Sequence, residues 1–162
     1  GVGRGSWVAR VDGWKRGRAA SGGGGGHVGT TSRGGDGRII TVCSAKGGVG
    51  KTTVSTKVAG ELASDGSSVL LIDLDLAFGD VAICLGISPS RSMTDIVAMS
   101  GHLDKQGLDS VAVRHDPALA VVCAPSAPVE ADHITAATVT ELLTVSQGFE
   151  DVVVFHYLLD FE

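Results

Sequence analysis

From Arg38 onward the chain alternates short apolar runs with amphipathic ones. "RIITVCS" (38–44) is a short apolar, β-rich run, the pattern of a buried strand. After a glycine-rich turn, "KTTVSTKVAGELASDG" (51–66) brings Val54, Val58, Ala59, Leu62 and Ala63 round at helical spacing and stops at Gly66. "SVLLID" (68–73) predicts a second buried strand and "SMTDIVAM" (92–99) a short helix. "LAVVCAP" (119–125) predicts a strand halted by Pro125. "TAATVTELLTVSQG" (135–148) predicts a helix carrying Leu142 and Leu143 that closes near Gly148, and "DVVVF" (151–155) a last strand. Strand, helix and strand repeating over short connections predict an α/β fold, a mostly parallel sheet with helices on both faces in three α/β/α layers.

Composition divides the chain where that pattern begins. Residues 1–37 hold 14 of the 24 glycines and six Lys/Arg against two acids, whereas 38–162 carry seven bases against sixteen acids. A tract such as "AASGGGGGHVGTTSRGGDG" has almost no apolar side chains to offset the entropy of ordering, so 1–37 read as a flexible linker or tail and 38–162 as the folded domain. At 162 residues and 43% hydrophobic, the chain is long enough for one core of moderate size. The longest apolar stretch, "SVLLIDLDLAFGDVAICLGI", is broken by Asp73, Asp75 and Asp80, too soon for a membrane span, and the start lacks the basic-then-apolar layout of a signal peptide. A cytoplasmic address is the expectation. Cys43, Cys84 and Cys123 lie far apart among aliphatic residues and are read as buried core positions, and the five histidines form no ligand-spaced group, so no zinc is expected. The acidic domain offers no basic stripe for nucleic acid.

The chemistry concentrates in "SAKGGVGKTT" (44–53). When a strand passes through a glycine turn into a helix, backbone N–H groups without carbonyl partners converge on one concavity, and the helix dipole adds positive charge there. Gly47, Gly48 and Gly50 permit close approach and left-handed angles; Val49, Thr52 and Thr53 complete the cradle. Lys51 is placed to reach the β and γ phosphates of ATP, and the Thr52 hydroxyl to coordinate Mg²⁺. Ala45 stands where the usual phosphate-loop pattern has its first glycine. Asp73 and Asp75 close a buried strand on the edge of the sheet where open α/β folds bind ligands. Asp80 is read as structural.

"KGGVGKTT" resembles the deviant Walker A motif of the MinD/ParA superfamily of P-loop NTPases, whose extra signature lysine matches Lys46. "IDLDLAFGDVAICLGISPSRSMTDIVA", "LDSVAVRHDPALAVVCAPSAPVEADHIT" and "ELLTVSQGFEDVVV" are similar to the CpaE/TadZ branch, ATPases of the Flp pilus system. The resemblance implies ATP hydrolysis with Mg²⁺, an ATP-dependent homodimer in which Lys46 reaches the partner's phosphates, and pilus or secretion-system proteins that recruit the protein to a membrane or cell pole. It assigns Lys46, Lys51 and Asp75 to catalysis, Lys46 to Thr53 to the nucleotide, and Thr52 and Asp73 to the metal, Asp75 orienting water and Asp73 lying near the Mg²⁺ shell. One departure stands out: Phe155 occupies the position where the family's last strand ends in a metal-organising aspartate. Either the carboxyl-terminal stretch is truncated or mistranslated, leaving the family fold incomplete, or that carboxylate is lost. Two further readings follow, a non-catalytic nucleotide-dependent dimer switch and, disfavoured by the acidic domain, a ParA-like DNA-partitioning ATPase.

Overall fold

A computed structural model describes residues 6–12, 25–32, 38–44 and 48–157, with 6–12, 25–32 and 155–157 described through the backbone alone. The predicted strands form its centre: β3 (Arg38–Ser44), β4 (Val69–Leu74), β6 (Leu119–Val122) and β7 (Asp151–Tyr157). They lie side by side and parallel in the order β3-β7-β4-β6, and the two-residue β5 (Val113–Arg114) pairs antiparallel with β6 at one edge.

Alternation along these strands divides the core into two apolar layers. Leu70 and Ile72 of β4 and Val152 and Val154 of β7 share one layer with Met93 and Ile96 of α3 (Met93–Ala98), Leu108 and Val111 of α4 (Lys105–Val111), and Leu142 of α5 (Ala136–Val145). Val69, Leu71 and Val153 face the other layer, with Ala59 and Ala63 of α1 (Lys51–Ser64) and Val81 of α2 (Asp80–Leu85). Helices therefore cover both faces. Leu70, Leu71 and Ile72 are almost wholly shielded from water, and burying each such side chain contributes roughly 1.5 to 3 kcal/mol. The strand that ends in the two aspartates is thus among the most firmly held.

Local chemistry fixes the helix ends. Ser92 caps α3 in a capping box with Asp95, and the Thr135 hydroxyl accepts from the Thr138 amide at the start of α5. At the end of α1 the Gly66 amide donates to the Ala63 carbonyl and the Ser67 amide to that of Leu62, with Gly66 left-handed at φ 98°, a Schellman termination. Where the strands start, Arg38 Nε and Nη2 donate to the two Asp151 oxygens at 2.6 and 2.8 Å, joining β3 to β7.

The structure adds to and corrects the sequence reading. α2 and α4 are six and seven residues long, too short for a helical period to stand out, and Gly107 interrupts the second. Within the stretch expected as a linker, the backbone of Ser6–Asp12 (β1) and Gly25–Ser32 (β2) runs as strands, β1 parallel to β2 and β2 antiparallel to β3. Ladder bonds need only an extended backbone, and the side of β3 away from β7 offers its row of N–H and C=O groups to any chain lying beside it. Of the three cysteines only Cys123 is buried; Cys43 is half-buried and Cys84 exposed, because α2 turns that side chain off the core.

Candidate functional site

β3 ends at the buried Ser44, and the chain enters α1 through Gly48 and Gly50, both left-handed at φ 69° and 88°. Gly50 is the N-cap of α1, it supplies no side-chain cap, and the first turn carries no acidic residue. The opening amides of this 14-residue helix are thus not capped by the N-cap side chain, and its positive dipole end has no acidic residue in its first turn. A Cβ at Gly48 would meet no atom within 4 Å, so that position is glycine for its backbone angle and leaves space above the loop. Lys51, the first helical residue, is 4% exposed. Thr52 is half-buried, Val49 likewise, and Thr53 exposed. The Thr52 carbonyl accepts from Ser55 Oγ at 3.0 Å and Thr56 Oγ1 at 2.8 Å, tying the first turn to the second. Lys46 and Gly47 lie outside the described residues.

The second half of the site comes from β4. Asp73 is fully buried: its Oδ1 accepts from the Asp75 amide at 2.9 Å and its Oδ2 from the Val81 amide at 3.3 Å. Burial pushes its carboxyl up to about 7, the two amides pull it down, and the charges of Asp75 and Asp80 push it up again. Asp75 is also buried, and burial, then the Asp80 charge, raise its pKa; the Lys51 ammonium and the Phe78 amide lower it. The Lys51 charge thus opposes the effect of burial on the Asp75 carboxyl. Asp80 opens α2, where its charge complements the helix dipole, and acts on both aspartates from outside.

Register places the departure at the same level. Asp73 of β4 and Val42 of β3 both stand opposite Phe155 of β7, so the central strand carries phenylalanine at the register position of Asp73. Beyond the aspartates lies a groove of about 510 Å³ whose walls include Phe78, Ile83, Arg91 and Glu130. Phe78 and Ile83 are among the few large hydrophobic side chains left exposed.

The sequence reading missed the backbone donor at Val81 and the turn through Phe78 and Gly79. Amides leave no trace in a sequence; Gly79, left-handed at φ 60°, was the available signal. The described residues hold no group of three or more His, Cys, Asp or Glu suited to a metal. The donor set, a hydroxyl on α1 with one carboxylate on β4 and another just after it, suits Mg²⁺ carried in with phosphate oxygens and completed by water.

The AAA domain family AAA_31 matches residues 37–152. The chain belongs to that family. Within it the chain is of the MinD/ParA type of P-loop ATPase. It is 43% identical to the antiactivator FleN of Pseudomonas aeruginosa over 60 residues, 37% of this chain and 21% of that protein. It is 39% identical to the septum site-determining protein MinD of Thermotoga maritima over 70 residues, 43% of this chain and 26% of that one. The solved ParA family ATPase of Chlorobium tepidum superposes with a TM-score of 0.64 at 28% identity, covering 70% of this chain and 48% of its own. The chain thus spans about a quarter of these curated relatives and about half of the solved one. Other solved proteins of this fold hold an ATP analogue or ADP with magnesium. No helix among the described residues is long and apolar enough to cross a membrane.

Proposed function

We propose that the chain binds Mg·ATP at residues 46–53 and hydrolyses its β–γ bond. The observation that carries this reading is the loop into α1: two left-handed glycines, an N-terminus without a side-chain cap and a nearly buried Lys51 as first helical residue. The Gly48, Gly50 and first-turn amides would grip phosphate oxygens, and Lys51 would neutralise charge on the β and γ groups. Asp75 would orient the attacking water. Thr52 and, in the outer shell, Asp73 would hold magnesium, which when bound supplies charge neutralisation at the transferred phosphoryl group. Lys46 is assigned by resemblance to the phosphates of a second copy. On the same resemblance the protein is a CpaE-like cytoplasmic ATPase that positions pilus or secretion machinery at a membrane or cell pole.

Titration with a fluorescent ATP analogue, with and without Mg²⁺, beside phosphate-release assays tests the reading. Lys51→Ala should weaken nucleotide binding about 100-fold or more, since an ammonium on a triphosphate in a sheltered site is worth several kcal/mol. Lys46→Ala should spare binding and abolish both dimerisation and turnover. Wild-type chain that takes up no Mg·ATP at millimolar ligand would end the proposal. Phe155 beside Asp73 favours a second reading, a dimer switch that binds nucleotide without hydrolysing it. Binding without phosphate release separates the two.

A further inference from the structure

We infer that Asp73 is a positioning residue, its carboxylate clasping both ends of the loop that carries Asp75 and thereby fixing where Asp75 stands at the end of the sheet. The kinetic part of this inference rests on the hydrolytic reading; the structural part does not. One oxygen takes the Asp75 amide at 2.9 Å and the other the Val81 amide, eight residues along the chain from Asp73, at 3.3 Å. Between those points the Asp75 carbonyl accepts from the Phe78 and Gly79 amides at 3.3 and 2.9 Å, winding the loop into a tight turn. Its far side is pinned as well. A Cβ at Gly79 would come within 3.2 Å of Ala124 Cβ, so the loop is pressed against the chain just beyond β6 at a residue that is left-handed besides.

Two amides on two oxygens require a carboxylate. An asparagine has one acceptor oxygen, and its NH₂ would face an N–H across the other arm. The bonds are charge-assisted and sheltered from water, which makes them stiffer than an ordinary turn contact. Asp73 leaves β4 at a point fixed by Leu70, Leu71 and Ile72, so the clasp transmits the rigidity of the sheet to a loop whose apex, Phe78, is exposed. A role confined to the metal shell would need neither amide.

The test uses the full chain. At pH 8, above the raised titration of the wild-type carboxyl, amide exchange measured by NMR without nucleotide should quicken about ten-fold in Asp73→Asn at Asp75 and Val81 and stay unchanged at Leu70 to Ile72, the expected loss for one charge-assisted bond. Turnover should fall about ten-fold, while KM for ATP holds. Val81→Pro removes the second amide and leaves the carboxylate in place; measured against Val81→Ala to subtract the lost packing, it should lower turnover in the same direction. Unchanged exchange at both amides in Asp73→Asn overturns the clasp. So does a raised Mg²⁺ requirement in Asp73→Asn with Val81→Pro no slower than Val81→Ala, which would make Asp73 a metal group alone. A wild-type chain without turnover refutes the hydrolytic reading, and the exchange measurement still decides the clasp.

Discussion

Two aspartates are buried at opposite ends of the sheet and are treated in opposite ways. Asp151, at the start of β7, meets the Arg38 guanidinium through two bonds and closes the side of the sheet away from the loops. Asp73, at the end of β4, is held by two backbone amides, with Asp75 and Asp80 adding negative charge nearby. The first arrangement serves the fold. The second carries a desolvation cost, and it lies where the Asp75–Val81 loop leaves the sheet. Burial and nearby negative charge make the Asp73 and Asp75 carboxyls hold their protons more tightly than usual, which is the physical difference between the two ends.

The largest expected effect tests where that cost resides. The folded state keeps the Asp73 proton up to about pH 7, whereas an unfolded aspartate loses it near 3.8. Between those values the folded chain binds more protons than the unfolded one, so Asp73 lowers stability as pH rises through this window and adds no further slope above it. In metal-free buffer, urea melts from pH 4 to 8 should show Asp73→Asn gaining on the wild type by roughly 3 kcal/mol across that range. A variant whose stability follows the wild-type profile point for point would show that the charge at Asp73 is not the source, and the contrast with Asp151 would collapse.

At the other end, Arg38→Met should cost about 2 kcal/mol, less than a wholly buried pair because the Arg38 side chain is 39% exposed while Asp151 is 1% exposed. Asp151 also holds the Arg38 pKa above its usual value, chiefly through the side-chain hydrogen bond. Nucleotide affinity should not change. A thermal melt showing the loss, with an unaltered titration by fluorescent ATP, would mark this end as structural; a large fall in affinity would mean that the two ends are coupled through β7.

Much of this division was legible before any coordinates. The strands β4 and β6 declare themselves because they are buried on both faces, β3 and β7 because their runs are rich in apolar, β-branched residues, and α1 because its stripe has a helical period. The glycine loop is legible because its chemistry needs particular residue types in order. What stayed hidden rests on backbone groups or short spans: the Val81 amide, the six-residue α2, and the strands β1 and β2, whose pairing asks little of side chains. The Arg38–Asp151 pair was invisible because its members are 113 positions apart and meet only through the register of β3 on β7.

The smallest effect gives the finest discrimination, because it compares the two ends of a single helix. Gly50 begins α1 and Gly66 follows its end, both are left-handed, and a Cβ at Gly66 would meet no neighbour. Replacing either by alanine forces an L side chain into that region at a cost of about 1 kcal/mol, so the two variants should melt alike. Their ligand behaviour should differ. Gly50 sits at the mouth of the proposed cradle and its conformation aims the first-turn amides, whereas Gly66 terminates the helix on the side of the Arg38–Asp151 pair. Gly50→Ala should weaken Mg·ATP binding several-fold and Gly66→Ala leave it untouched. Equal losses of affinity would mean that α1 responds as a rigid whole and that the loop has no separate part in holding phosphate.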